Sequence, residues 1–320
     1  MRHFISNGIT KCAVVMVIGF IVLVGDTSGQ IKTPAPAFAP RSITVLTEPG
    51  AAVWIDGVYF GAADAGGRLV IRSVPAGNRS LRVRLDGFKE AKKPLSAAKG
   101  DLAMPLVRTT DAAELAYQQA EVLKTSDRQQ AIAAYEKAIK LRPSFPEAHL
   151  GLARAFAESG KFDRADKAIR ALKKIRPRYA EASAVEGRVY KDIDEETKAV
   201  ATFKRAITEG GGYQPEAYTG LGLLYKEKAE NAGSAGDYAE EQANFAESAR
   251  YLAVAAKQLT VAPDAPVVYQ LLGLVYERQQ KFEDAIKVYE DFLLLFPDSN
   301  EATAVQSFIV QLKKQLNSQQ

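Results

Sequence analysis

The sequence predicts two folded parts, a small all-β sandwich followed by an all-α solenoid of stacked helical hairpins. Short alternating runs between turn signals predict the β part in residues 42–108. Small residues and prolines that recur every 34 residues predict the helical part in residues 111–320. An apolar run near the N-terminus adds the prediction that both parts are exported.

The N-terminus has the residue order of a secretory signal. Arg2 and Lys11 precede an unbroken apolar run, residues 13–24, and small residues follow at 27–29. The run has 12 residues, whereas a membrane-spanning helix needs about 20. We therefore expect residues 1–29 to be a signal peptide that is removed, and an uncleaved membrane anchor is the alternative.

Composition excludes several classes of function. The net charge of +4 on 320 residues provides no broad surface for nucleic acid. Cys12 and His3 lie within the predicted signal, so its removal would leave His149 as the one histidine and no cysteine. Cys/His metal sites and thiol chemistry are then excluded by counting. We expect no cofactor, no metal and no catalytic centre. The sequence therefore predicts a protein that is not an enzyme.

A proline-rich segment separates the predicted signal from the predicted sandwich. Residues 30–41, QIKTPAPAFAPR, contain three prolines among small and polar residues. Segments of this composition favour extended polyproline-like conformations. We expect this segment to be a linker that spaces the sandwich from whatever precedes it.

Turn residues separate the predicted strands of residues 42–108. Glu48-Pro49-Gly50 is predicted to turn because proline presets one dihedral and glycine accepts a positive φ. Asp56-Gly57 is a strong hairpin signal because both positions of a two-residue turn need φ > 0. The alternating segments are SITVLT, VWI, VYFG, RLVIRSV, RSLRVRL and DLAMPLV. Each would bury one face, which predicts a small antiparallel sandwich.

The same residues resemble a known module. EPGAAVWIDGVYFG, a VPAG turn and LRVRLDGFK follow one another in the order found in PEGA domains, small β-sandwiches named after a Pro-Glu-Gly-Ala motif. This chain has the permuted form Glu48-Pro49-Gly50-Ala51. The resemblance implies a non-catalytic module of bacterial cell envelopes and surface proteins, with a poorly defined ligand.

Residues 111–320 repeat with a period of 34. Ala131, Tyr135, Ala138 and Pro143 are followed by Ala165, Ile169, Leu172 and Pro177, and then by Ala199, Phe203, Ala206 and Gly211. Two antiparallel helices approach closely only where one carries a small residue, and proline stops the second helix. The pattern resembles the tetratricopeptide (TPR) repeat, which implies a solenoid whose concave groove binds a protein partner.

Two segments depart from the repeat. Extra residues around NAGSAGDYAEEQANF, between Tyr225 and Tyr251, are predicted to lengthen helices or to form a projecting loop. An amphipathic segment after Pro297 is predicted to be a helix that caps the end of the solenoid.

Charged residues in the first helices of the repeats are candidates for partner binding. Arg154 and Arg188 lie 34 residues apart and therefore occupy equivalent positions, with Lys191 one turn further. Carboxylates form a similar series of Glu147, Glu181 and Glu216. We predict a basic strip that selects an acidic segment of a protein partner. The alternative is that these charges pair with each other and only solvate the surface.

Aromatic and basic residues mark a candidate envelope-binding face on the sandwich. The candidate residues are Trp54, Tyr59, Arg82 and Arg84. Exposed aromatic rings could stack on sugars, and arginines on one strand face could bind an anionic cell-wall polymer. The alternative is that the rings cover the second face of the sandwich and that the arginines, with Arg68 and Arg72 on another strand, are solvated.

These expectations favour a non-catalytic adaptor or scaffold of the bacterial cell envelope, located in the periplasm or at the cell surface. A structural spacer without a specific ligand, or an accessory subunit of an envelope enzyme, is the alternative. Contact with a membrane is expected only if the N-terminal segment stays uncleaved, and no nucleic-acid partner is expected.

Overall fold

The structure is a computed structural model that describes residues 41–75, 77–95 and 100–318. The predicted signal peptide and residues 30–40 of the predicted linker lie outside this part of the chain. Among the described helices, none is both long enough and apolar enough to cross a membrane.

Nine strands lie within the described residues. They are β1 (Arg41–Leu46), β2 (Ala52–Ile55), β3 (Val58–Ala62), β4 (Arg68–Val74), β5 (Arg79–Arg84), β6 (Phe88–Lys89), β7 (Ala91–Leu95), β8 (Gly100–Ala103) and β9 (Val107–Arg108). We call this part the β module. The first sheet has the order β4-β1-β8, the second has the order β3-β2-β5-β7, and β6 pairs with β9.

The two larger sheets share one apolar core, as the alternating segments predicted. Its most enclosed side chains, each at most 1% exposed, include Ile43, Val45, Val53, Ile55, Leu81 and Val83. The opposite face of β2 and β5 carries Trp54, Arg82 and Arg84, because successive residues of a strand point to opposite sides.

The predicted turns have the expected backbone geometry. Asp56 and Gly57 have φ values of 44° and 83°, which the β2–β3 hairpin requires at both turn positions. Gly50, with a φ of 76°, follows Pro49 in the turn that leads from β1 to β2.

One pairing differs from the purely antiparallel sandwich that the pattern suggested. β8 runs parallel to β1, with Ile43 opposite Gly100 and Leu46 opposite Ala103. Alternation along a strand indicates which face is buried, but it carries no information about the direction of a neighbour that is distant in sequence.

Eleven helices follow within the described residues. They are α1 (Ala112–Leu123), α2 (Arg128–Leu141), α3 (Pro146–Ala157), α4 (Phe162–Ile175), α5 (Ala180–Asp192), α6 (Glu196–Glu209), α7 (Pro215–Ser234), α8 (Tyr238–Leu259), α9 (Ala265–Arg278), α10 (Phe282–Leu295) and α11 (Ala302–Ser318). They pack in sequence order as five hairpins, α1–α2 to α9–α10, with α11 against α10. Asp111 caps α1 by accepting hydrogen bonds from the amides of Ala113 and Glu114.

Glycines lie where the helices of a hairpin cross. A Cβ built on Gly187 of α5 would lie 2.6 Å from Cδ1 of Phe203 on α6. A Cβ on Gly222 of α7 would lie 2.6 Å from Cγ of Leu252 on α8. Non-bonded carbons prefer about 3.5–4.0 Å, so these crossings admit no larger residue. This steric limit explains the recurrence of small residues in the sequence.

The two departures from the repeat now have a structural meaning. The insertion lengthens two helices, since α7 has 20 residues and α8 has 22. The serine hydroxyl of Ser248 on α8 donates to the carbonyl of Gly222 at 2.7 Å, which ties the long pair together. The C-terminal helix α11 covers the last hairpin with Val305, Ile309 and Leu312, as predicted for a cap.

We predict that Gly187→Leu destabilises the fold by about 1–3 kcal/mol, because the added side chain must displace the ring of Phe203. The free energy of unfolding from urea denaturation is the measurement. Ala201→Leu, at an exposed position of α6, adds leucine without a crossing and serves as the control. Equal stability of the two variants would contradict the assigned crossing.

Candidate functional site

The β module lies in the concavity of the helical array. Its contacts extend from α1 to the loop after α8, and the surface of α1, α3, α5, α7 and α9 that faces it is here called the inner face. Three contacts mark the span: Gln118 donates to the carbonyl of Phe88 at 2.7 Å, Lys92 pairs with Glu147 at 3.1 Å, and Thr260 donates to the carbonyl of Ser73 at 2.9 Å. Strands and helices therefore form one compact unit.

A buried ion cluster centred on Arg84 joins the β module to α1. The Arg84 side chain is 8% exposed and pairs with Glu90 on its own module and with Glu121 of α1, the latter at 3.5 Å. The guanidinium also lies 4.6 Å from the centre of the Tyr117 ring. The hydroxyl of Tyr135 on α2 donates to Glu121 at 2.5 Å. The two parts of the chain thus share one network of charges and hydrogen bonds.

The members of this cluster hold one another in their charged forms. Burial disfavours the charge on Arg84, but Tyr117, Glu90 and Glu121 outweigh it and raise the pKa of the guanidinium. Burial would also raise the pKa of Glu90, yet its positive neighbours, led by Arg84, lower it. In the same way Lys124 and Arg84 lower the pKa of Glu121 against the effect of burial. Arg84 and Glu121 thus each have a partner across the interface, whereas Glu90 is held by cations of its own module.

Among the predicted envelope-binding residues, Trp54, Arg82 and Arg84 face the helices, whereas Tyr59 stays partly open to solvent. Trp54 lies beside Arg82 and Arg84, whose guanidinium carbons are 5.1 Å and 5.3 Å from its ring centre. Tyr59 is 36% exposed, and its ring centre is 5.5 Å from that of Trp54. The expectation that this strand face is open is wrong for Arg84, because the inner face of the helical array covers it.

The predicted basic strip is neutralised within the chain. Its ion pairs are Arg154 with Glu216, Arg188 with Glu158 at 3.7 Å, and Lys191 with Glu227 at 3.2 Å. Arg154 and Arg188 thus occupy the inner face as the repeat predicted, but each already has a carboxylate. The alternative weighed from the sequence, that these charges pair with each other, holds for Arg154 and Glu216, whereas Arg188 and Lys191 pair with carboxylates outside the predicted series.

Two members of the predicted carboxylate series contact the β module, and the third, Glu216, pairs with Arg154. Glu147 pairs with Lys92 of β7. Glu181 lies against the β2–β3 turn, where a Cβ on Gly57 would be 3.0 Å from its Oε1. Burial raises the pKa of Glu181. These carboxylates therefore support the docking of the β module on the inner face.

The β module does not fill the inner face. A cavity of about 760 Å³ lies between the β2–β3 hairpin and α5, α7 and α9. Its apolar lining includes Val58 and Tyr59 from the hairpin and Leu223, Val267 and Val268 from the helices. The walls of the cavity also carry charged residues that are all paired within the chain, namely Arg154, Arg188, Lys191 and Glu216. A ligand would thus meet apolar surface between neutralised charges.

An apolar stripe on α9 continues from this cavity. Val267 is 62% exposed, Leu274 is 37% exposed, and Leu271 lies half-buried between them. Their spacing of four and three residues places them on one side of the helix. The repeat pattern did not predict this stripe, because it concerns the residues at the helix crossings and not those on the open side of α9. The sequence feature that could have indicated the stripe is that α9 carries apolar residues on more than one side of the helix.

His149 has a structural role. Its side chain is 8% exposed, and Nε2 lies 2.9 Å from the carbonyl oxygen of Pro143. In the part of the chain that the structure describes, no group of three His, Cys, Asp or Glu residues is placed to hold a metal ion.

Comparison with known proteins identifies the hairpins. Two family models described as tetratricopeptide repeats match residues 122–189 and 234–300. These two segments match tetratricopeptide repeats, and the helical array is a TPR-like solenoid. Such arrays bind protein partners and indicate an adaptor or scaffold. No curated protein matches the chain.

A solved structure with a TM-score above 0.5 shares the fold of the helical array. The crystal structure of yeast Tom70 is 18% identical with a TM-score of 0.51, over 65% of this chain and 41% of that chain. A thermophilic TPR protein of Thermus thermophilus, TTC0263, is 18% identical with a TM-score of 0.44, over 62% of this chain and 100% of that chain. PilW, described as a widely conserved type IV pilus biogenesis factor, is 18% identical with a TM-score of 0.46, over 66% of this chain and 94% of that chain. The match thus spans less than half of Tom70.

We predict that Arg84→Met destabilises the protein by about 1–3 kcal/mol, because Glu90 and Glu121 lose their shared cation and keep only the more exposed partners Lys92 and Lys124. Adding Glu90→Gln should recover part of this loss. Thermal unfolding followed by the fluorescence of Trp54, the single tryptophan, is the measurement. Lys313→Met removes an exposed ion pair with Glu290 and should cost at most about 1 kcal/mol. An equally small effect of Arg84→Met would refute the role of the cluster.

Proposed function

We propose that the protein is a non-catalytic adaptor of the bacterial cell envelope that holds a protein partner in the cavity between the β2–β3 hairpin and the inner face. The cavity of about 760 Å³ carries this proposal, because it is lined by both parts of the chain and opens onto the apolar stripe of α9. Its volume is in the range of about 300–1,000 Å³ that is typical of ligand pockets.

The lining favours a partner segment that presents apolar side chains. Four apolar side chains here are exposed or half-buried and belong to none of the core clusters of the described residues. They are Tyr59, Leu223, Val267 and Leu274. The neighbouring arginines and lysine already have carboxylates, so a strongly acidic segment would have to displace an existing ion pair. We therefore propose that apolar contacts provide most of the affinity for the partner, and that the paired charges orient it.

The envelope location rests on the sequence. The N-terminal residues have the order of an export signal, and residues 42–108 resemble a PEGA domain, a module of envelope and surface proteins. We propose export to the periplasm or the cell surface. Fractionation of cells that produce the full chain would test this, and recovery in the cytosolic fraction alone would refute it.

A different strand is the better candidate for an envelope polymer. Arg68 and Arg72 are exposed on β4, the edge strand of the first sheet, and Val70 between them is 55% exposed. Arg84, by contrast, is enclosed by the helices. We propose that the β4 arginines bind an anionic cell-wall polymer by charge.

A rigid spacer is the second candidate function. It is favoured by the docking of the β module in the concavity, which braces the hairpins from α1 to α8. The spacer and the adaptor differ in one property, since only the adaptor needs the open apolar surface of α9.

We predict that Val267→Glu with Leu274→Glu abolishes capture of the partner from an envelope extract, because two charges enter the apolar surface. Affinity capture followed by mass spectrometry is the measurement, with unchanged thermal unfolding as the check on folding. Tyr238→Glu changes an apolar residue that is 70% exposed on α8 and should not alter capture. If all three proteins capture the same set, the spacer is favoured and the adaptor is refuted.

We predict that Arg68→Glu with Arg72→Glu lowers retention of the protein on cell-wall polymer resin at low salt by about tenfold, since both charges act at short range. Retention is measured across a salt gradient. Arg278→Glu with Lys281→Glu, at exposed positions at the end of α9 and just after it, gives the same change of net charge and serves as the control. Salt-independent binding, or equal loss in the control, would exclude a polymer site on β4.

A further inference from the structure

An apolar groove lies on the outer side of the first repeats, away from the β module. It runs between α2 and α4 and has a volume of about 570 Å³. Its floor is formed by Ile139, Leu152, Phe156, Ala168 and Ala171. Leu152 and Phe156 belong to α3, whose Gly151 and Arg154 line the inner side. The groove is therefore separated by a helix from the cavity proposed above.

Lysines without carboxylate partners border this groove. Lys140 and Lys167 lie on its walls, and Lys174 lines an adjoining hollow of about 750 Å³. All three are exposed and make no ion pair with any described residue. Arginines in the same region differ, because Arg164 pairs with Glu136 and Arg170 with Asp166. One carboxylate, Asp163, lines the same hollow as Lys174 and is also without an ion pair among the described residues. The groove and the hollow thus combine an apolar floor with an excess of positive charge.

The other end of the array has the opposite character. Helix α10 carries four acidic residues and one lysine. Asp284 and Asp291 are exposed, make no ion pair with a described residue, and lie seven residues apart on one side of the helix. Leu294, on the same side, is 79% exposed, more than any other large apolar residue of the described chain. Lys287 shares this side but leaves it net acidic.

We propose that the acidic side of α10 in one copy of this chain docks in the α2–α4 groove of a second copy. Leu294 would enter the apolar groove, while Asp284 and Asp291 would face Lys140, Lys167 and Lys174. The contact joins two different surfaces of the same chain, so it is head-to-tail and can continue from copy to copy.

The chain itself favours a second copy over an anionic lipid surface as the occupant. A lipid surface would satisfy the lysines but would leave the exposed Leu294 and the acidic α10 without a role. One chain carries both the groove and a surface of matching chemistry. The mature adaptor would then present its inner cavities at regular intervals along an assembly.

The attraction should be weak and sensitive to salt. The apolar part of the contact is one leucine over a shallow groove, and the charges are exposed on both sides. Exposed charges are screened over about 10 Å at an ionic strength of 0.1 M. We therefore expect association at low salt and dissociation at high salt.

Sedimentation velocity of the full chain without its predicted signal tests the proposal. The wild type should associate at low salt as concentration rises. Lys140→Glu with Lys167→Glu, and separately Asp284→Lys with Asp291→Lys, should each weaken self-association by at least about tenfold. Mixing the two variants should restore association, because the reversed groove now matches the reversed α10. Lys204→Glu with Lys257→Glu reverses two exposed lysines on α6 and α8 and should leave association unchanged.

Three results would overturn the proposal. The first is a wild-type protein that stays monomeric at low salt over the whole concentration range. The second is association that persists in the groove variant, or that is lost equally in the control. The third is a monomer that binds phosphatidylserine vesicles through Lys140 and Lys167, which would assign the groove to a lipid surface. Capture of the partner by Val267 and Leu274 is measured separately, so either proposal can fail alone.

Discussion

The structure depends on the packing of a β-sheet face into the concavity of a helical solenoid. Strands β2 and β5 use one set of alternating residues for the sandwich core, so their other set must face outward. Here that outward face, with Trp54, Arg82 and Arg84, meets the inner face of the helices. The charge on Arg84 is tolerated in this contact because Glu90 and Glu121 approach it from both sides. Removal of either partner would leave a charge in a place that water reaches poorly.

This packing decides which surfaces can bind another molecule. In a solenoid without the β module, the whole concave wall would be accessible. With the β module in place, the wall near α1 and α3 faces strands β2 and β5 across a hollow of about 380 Å³, and its charges serve the internal contact. The larger hollow lies beyond the β2–β3 hairpin, where Val267 and Leu274 remain exposed on α9. The hairpin, with Tyr59 at the edge of the cavity, becomes part of the binding surface and not only a neighbour of it.

The helices of the repeats separate two surfaces of different chemistry. On α3, Gly151 and Arg154 face the inner side, whereas Leu152 and Phe156 face the outer groove. A partner bound inside and a second copy bound outside would therefore touch the same helix without competing for the same residues. A rigid solenoid suits such a role because each hairpin contacts only its neighbours and presents both sides.

The sequence by itself determined the helical hairpins and most of the strands, although β6 and β7 were not among the predicted segments. Turn residues such as Asp56-Gly57 placed the hairpin, and the recurrence of small residues placed the helix crossings, because backbone dihedrals and close contacts are local demands that few residue types satisfy. It also placed Arg154 and Arg188 on the inner face, since their spacing equals the repeat. Only the tertiary structure decided that β8 runs parallel to β1, that Arg84 is buried, and that the basic strip is paired within the chain. These facts depend on pairs of residues that are distant in sequence, such as Arg84 with Glu121 and Arg154 with Glu216. A local sequence pattern does not indicate which distant carboxylate will lie beside a given arginine.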